Sequence, residues 1–192
     1  MYTAKDFSSL LGTPGFSETL LKNHFGLYEG YVKNTNALEE KLSVMAKEEA
    51  FGTPEYNEIK RRFGWEWNGM KLHELYFANM KKGGAALDPN SPLGQKIVAG
   101  WGSLDGWAKD FKATGALRGI GWAILAYDKD ADRLFNVWIN EHDGGHLAGA
   151  TPLLVMDVFE HAFILDYGMK RADYVASFMA AVDWSVVEKR LS

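Results

Sequence analysis

The chain contains no cysteine, which removes disulfides, iron–sulfur clusters, thiolate zinc sites and cysteine nucleophiles together. Any metal it binds is held by nitrogen and oxygen. No stretch approaches the ~18 consecutive apolar residues of a membrane-spanning helix. Residues 1–16 lack the basic opening and continuous apolar core of a secretory signal. These absences lead to the expectation of a soluble, cytoplasmic protein. Long runs of like charge are missing as well. The 21 Lys and Arg against 25 Asp and Glu leave a net charge of −4, which gives no basis for broad electrostatic capture of nucleic acid.

What is present describes a globular chain. Of 192 residues, 47% are hydrophobic and 14% aromatic, enough to build a core. At about 150 residues per domain the length corresponds to one domain or two small lobes sharing a core. After Pro14-Gly15, the pair Ser17-Glu18 opens a helix, because a short oxygen side chain caps free backbone donors and an acid suits the positive end of the dipole. Apolar residues then recur at helical spacing to about residue 50. Thr53-Pro54-Glu55 starts a second helix. Gly64 and Gly69, flanking Trp65 and Trp67, are expected to interrupt it before helix resumes over residues 70–80.

Residues 82–92 are rich in Gly, Pro, Asp and Asn and read as a linker between an N-terminal lobe, 1–83, and a C-terminal lobe, 92–192. Ser91-Pro92 restarts helix, and Asp105 opens another to about residue 117. The period then changes: Ile120, Trp122, Ile124 and Ala126 alternate, a turn falls at 128–132, and a second apolar run covers 134–139, which together predict a β-hairpin. Residues 152–158 add a third strand. The chain ends in helices, the last opened by a capping box from Ser185 to Glu188.

Five histidines, at 24, 73, 142, 146 and 161, are the residues most able to carry chemistry. Asp157 and His161 stand four apart within an apolar segment, where a carboxylate costs several kcal/mol unless paired or bound to a cation. A buried Asp–His hydrogen bond, a helix-start acid and a metal pair all fit that spacing. His24, Tyr28 and Tyr31 share one helical face. They are either a core stripe or part of a ligand set, and the same choice holds for His73.

Taken together, His24 followed by Tyr31-Val32-Lys33-Asn34-Thr35-Asn36, His73 on a second helix, and Asp157-Val158-Phe159-Glu160-His161-Ala162-Phe163 resemble the iron/manganese superoxide dismutases. Ala150-Thr151-Pro152-Leu153-Leu154, Gly121-Trp122, Arg171-Ala172-Asp173-Tyr174 and Val182-Asp183-Trp184 extend the resemblance over nearly the whole chain. It implies an α+β fold with an N-terminal lobe of long helices in a hairpin and a C-terminal α/β lobe carrying a three-stranded antiparallel sheet. It also implies one iron or manganese ion per chain, held by His24, His73, Asp157 and His161. Superoxide is the implied substrate, dioxygen and hydrogen peroxide the products. Glu160 resembles the acid that crosses a homodimer interface to the ligand histidine of the other subunit.

Three imidazoles and one carboxylate suit iron or manganese, without the soft sulfur favoured by copper or zinc. A trivalent ion with carboxylate and hydroxide carries the same net charge as a divalent ion with carboxylate and water, so electron uptake can couple to proton uptake without changing the buried charge. The resemblance assigns catalytic roles to Tyr31, at the substrate funnel, and to a partner for the bound solvent. Gly69, four residues before His73, cannot donate. At the other position the family uses, Asn140-Glu141-His142-Asp143 aligns with its N-Q-D, so the resemblance makes His142 the candidate, with His146 as the alternative, and implies iron for a histidine at that place. Trp122 and Arg171 match residues lining or flanking the funnel.

Two departures stand out. His24 and Tyr31 are seven residues apart, about 700° of helix, so an ordinary α-helix keeps them on one face without a π-bulge. The family's intervening histidine is absent, with Tyr28 expected in its space, and Ile164 replaces its usual tyrosine partner. Rival readings are a non-catalytic helical interaction module, or a non-haem iron oxygenase or zinc hydrolase using two histidines and a carboxylate.

Overall fold

The computed structural model describes residues 1–191. Helix α1, Glu18–Lys47, is capped by Ser17, whose side chain accepts from the Leu20 amide. Its buried positions Leu20, Leu21, His24, Tyr28, Tyr31 and Val32 form one stripe. Helix α2, Pro54–Ala78, is capped by Thr53 and packs along α1. It runs unbroken through Gly64 and Gly69, which corrects the expected interruption. Each glycine costs about 1 kcal/mol relative to alanine in a helix, but burial of Met70, Leu72, His73, Tyr76 and Phe77 along the same helix outweighs it.

Helices α3, Pro92–Trp101, and α4, Leu104–Gly115, are capped by Ser91 and Ser103. Strands β1, Gly121–Asp128, β2, Arg133–Asn140, and β3, Thr151–Asp157, form an antiparallel sheet in the order β2-β1-β3. β1 is central and buried from Gly121 to Tyr127. After a 3-10 turn at Glu160–Ala162 come α5, Ile164–Tyr167, α6, Arg171–Ala181, and α7, Trp184–Lys189. The cap of α7 is Asp183, which accepts from the Ser185 amide and hydroxyl. The expected capping box is thereby corrected: Ser185 lies inside the helix, and Glu188 accepts from the Leu93 amide instead.

The breaker-rich segment is pinned rather than free-running. The Lys81 and Ala85 amides donate to the carbonyls of Ala181 and Val182. Leu20 and Tyr76 from the long helices share one apolar cluster with Phe111, Ile124, Met156 and Phe178. Among the described residues, no helix is long and apolar enough to cross a membrane.

Candidate metal centre

Four elements meet at one buried point. α1 brings His24, α2 brings His73, the last residue of β3 is Asp157, and the 3-10 turn that follows carries His161. One ligand-capable atom from each of the four lies within 4.8 Å of the others. The Nε2 atoms of His161, His24 and His73 stand 3.1, 3.2 and 3.5 Å from Asp157 Oδ2. His24, His73 and Asp157 are buried, while His161 keeps 29% side-chain exposure. The strand end is held firmly: Asp157 Oδ1 accepts from the Phe159 amide at 2.8 Å, and the Tyr174 hydroxyl donates to the Asp157 carbonyl at 2.5 Å.

The protonation pattern is readable at His73. Its Nδ1–H donates to the Gly69 carbonyl, 2.6 Å away and one helical turn earlier, so Nε2 carries a lone pair. That Nε2 is buried without a hydrogen-bond partner and faces a carboxylate oxygen. Two acceptors opposed in a dry site are costly unless a cation lies between them.

Burial pushes His24 and His73 below the usual histidine range, which leaves their imidazoles neutral. Burial also works to raise Asp157, but its electrostatic and hydrogen-bonding interactions with the His161 ring and then the His24 ring hold its carboxyl far below the usual range. Neutral nitrogen donors and an ionised carboxylate are the state a metal requires.

Beside the cluster lies a second group. The Tyr31 ring stacks on His73, with centroids 5.1 Å apart, and its hydroxyl is 2.8 Å from His142 Nε2. Trp122 Nε1–H donates to His142 Nδ1 at 3.1 Å. Nδ1 is therefore an acceptor, Nε2 holds the proton, and His142 donates to the Tyr31 oxygen. Burial lowers His142 to about 4 and raises Tyr31, so both are neutral near pH 7. His146 is exposed and turns away, its Nε2–H donating to the His142 carbonyl at 2.9 Å.

The remaining residues singled out from sequence fall further out. α1 is α-helical throughout, and His24 and Tyr31 both pack on His73. The Tyr28 hydroxyl accepts from the Lys5 amide and donates to Glu74. Arg171 commits both terminal nitrogens to the Leu117 and Gly119 carbonyls. Glu160 is exposed, in a hollow it shares with Arg118, Ile164, Met169 and Arg171.

Sequence reasoning gave no role to Phe159, stacked on His142 and His161, or to Trp65, packed on Tyr31 and His142. A signal for Trp65 existed. It stands eight residues before His73, on the same helical face as Gly69.

Residues 89–190 match the family described as iron/manganese superoxide dismutases, C-terminal domain. A manganese superoxide dismutase of Haloferax volcanii, its number 2, is 36% identical over 172 residues, covering 89% of this chain and 84% of that one. Iron superoxide dismutases give similar values: that of Aquifex aeolicus is 34% identical over 191 residues, 97% of this chain and 89% of its own. That of Saccharolobus solfataricus is 36% identical over 184 residues, with 93% and 86% covered. With the cluster of three histidines and one aspartate, these matches establish that the chain belongs to the iron/manganese superoxide dismutase family.

Proposed function

We propose that His24, His73, Asp157 and His161 hold one iron or manganese ion and that the protein uses it to dismutate superoxide. The observation that carries this reading is the buried, unpartnered Nε2 of His73, aimed with two other imidazole nitrogens at one carboxylate oxygen. When bound, the ion supplies one-electron redox chemistry, by which one superoxide becomes dioxygen and a second, with two protons, becomes hydrogen peroxide.

The chain's own residues do the rest. Asp157 contributes the single negative charge, burial keeps the His24 and His73 imidazoles neutral, and the Gly69 carbonyl keeps the His73 lone pair turned inward. Trp122 sets the tautomer of His142, which leaves the hydroxyl hydrogen of Tyr31 free to be offered to a substrate or solvent oxygen. His142 and Tyr31 are thus the groups placed to hold and pass the protons that peroxide formation consumes. Metal analysis and a superoxide-consumption assay on the same purified sample test this reading. A metal-free, inactive protein from iron- and manganese-replete medium would overturn it in favour of a non-catalytic helical module.

Iron is the metal we favour, because Gly69 offers no side-chain donor, His142 is the donor to the Tyr31 oxygen, and the family resemblance associates a histidine at that place with iron. Substituting His142→Gln, which keeps a donor but changes its basicity, is expected to lower the ratio of iron- to manganese-supported activity while leaving metal content nearly intact. Equal ratios in the two proteins would remove His142 from control of metal choice.

The same reading includes a homodimer. Glu160 is exposed directly beside His161, and Ile164, Leu165 and Met169 nearby are 44, 57 and 93% exposed. Two-fold pairing would cover these side chains and bring Glu160 to the partner subunit's His161 twice per dimer. Glu160→Ala is expected to weaken both association and metal retention. Sedimentation showing a fully metallated dimer of the variant would count against the contact.

A further inference from the structure

We infer that Trp65 is a positioning residue for the proton-holding pair, clasping the loop that carries His142 to the helix that carries His73. This inference rests on the metal reading above and adds to it a residue that the ligand set does not include. The indole lies against His142, with ring centroids 4.4 Å apart at 70°, and against Tyr31 at 5.6 Å. Its Nε1–H donates to Glu141 Oε2 at 3.0 Å, across a sequence separation of 76 residues.

Glu141 immediately precedes His142 and has a left-handed backbone, with φ of 50°. A residue with a side chain rarely adopts that conformation unless its surroundings hold it. Apart from the bonds of the His142 ring to Tyr31 and Trp122, the loop's backbone is closed by the Asn140 amide to the Gly144 carbonyl, the reverse pair, and the Glu141 amide to the Ile120 carbonyl. These backbone bonds are local and tie the loop to itself or to the end of β1. The indole–carboxylate bond joins it to α2, which carries His73, the ring on which Tyr31 stacks.

The outer face of Trp65 is covered by the Arg62 guanidinium, 3.8 Å from the ring, and Arg62 is in turn fixed by Glu66 at 2.7 Å. The indole is therefore set from outside by Arg62, below by Glu141 and inside by the two rings it orients. Loss of the clasp lets His142 drift relative to Tyr31, while Trp122 continues to fix the tautomer. Small displacements of such groups reduce turnover without removing any reacting atom.

The test compares the wild type with W65F, E141A, E141Q and the double variant W65F/E141A, each metal-loaded. Backbone hydrogen exchange over residues 140–146 is read beside metal content, kcat and KM. W65F keeps a ring but lacks the donor. E141A lacks the acceptor, and E141Q retains an amide oxygen that can accept. Expected are exchange faster by about tenfold in W65F and E141A, confined to that loop, and kcat lower by about three- to tenfold at unchanged metal content. E141Q is expected to behave as wild type, and the double variant no worse than either single one. Wild-type exchange and kcat in W65F, additive losses in the double variant, or an E141Q as impaired as E141A would each overturn the clasp. A wild type without metal would instead overturn the metal reading, while the exchange rates would still report on the clasp.

Discussion

Replacing Asp157 with alanine is expected to abolish metal retention and superoxide consumption together. The carboxylate is the only anionic group in the cluster, is fully buried, and has all three Nε2 atoms within 3.5 Å of one oxygen. Without it, a di- or trivalent ion would enter a buried site with no compensating charge, and several kcal/mol of desolvation would go unmatched. Activity should fall by more than about 100-fold, beyond the usual effect of a residue that only supports a ligand. Asp157→Asn separates charge from shape, since it can still accept from the Phe159 amide but is neutral. It too should lose activity. The decisive readout is thermal unfolding with and without added iron or manganese. A bound ion stabilises only the state that binds it, so wild type should gain melting temperature on metal addition and neither variant should. A variant that kept stoichiometric metal would show that Asp157 is not a ligand.

The parts of this site that follow local patterns were legible in the sequence. Asp157 and His161 lie on one short segment, and His24 and Tyr31 are seven residues apart on a helix that proves regular. Helix starts at Ser17, Thr53 and Ser91 were equally readable, because a cap is a contact between near neighbours, whereas the helix read as opening at Asp105 is capped two residues earlier by Ser103. Two features were not. Gly64 and Gly69 looked like breakers, since helix propensity is a weak prior that packing overrides and the packing partner is another helix. Asp183 rather than Ser185 caps the last helix, because Glu188, the distal half of the expected box, is drawn to the Leu93 amide far away in sequence. The same limit hid the contact between Trp65 and Glu141. Local spacing identified what faces inward, and only the tertiary structure showed what each side chain meets there.

Gly69 is where that distinction has its largest measurable consequence outside the four clustered residues. A Cβ added there would lie 2.6 Å from Tyr31 Cδ1 and 2.8 Å from Cε1, far inside van der Waals contact. The Tyr31 ring is stacked on His73 and bounded by Trp65 and His142, so it cannot shift without disturbing those contacts. Gly69→Ala must therefore push the ring aside and break its 2.8 Å bond to His142. Helix propensity favours alanine by about 1 kcal/mol, while overpacking in a filled core costs about 1–3 kcal/mol. Net stability should thus change little or fall by up to about 2 kcal/mol. On the proposed role of Tyr31 and His142, activity should fall by about tenfold or more, because the displaced hydroxyl leaves the position proposed for proton transfer. Gly64→Ala is the matched control. The same helix offers open space around that position, with nothing within 4 Å of the added carbon. It should stabilise the protein by up to about 1 kcal/mol and leave turnover unchanged. Thermal unfolding and superoxide consumption measured on both variants decide the matter: if Gly69→Ala is as active as Gly64→Ala and equally stabilised, the close approach of Tyr31 to α2 has no functional role.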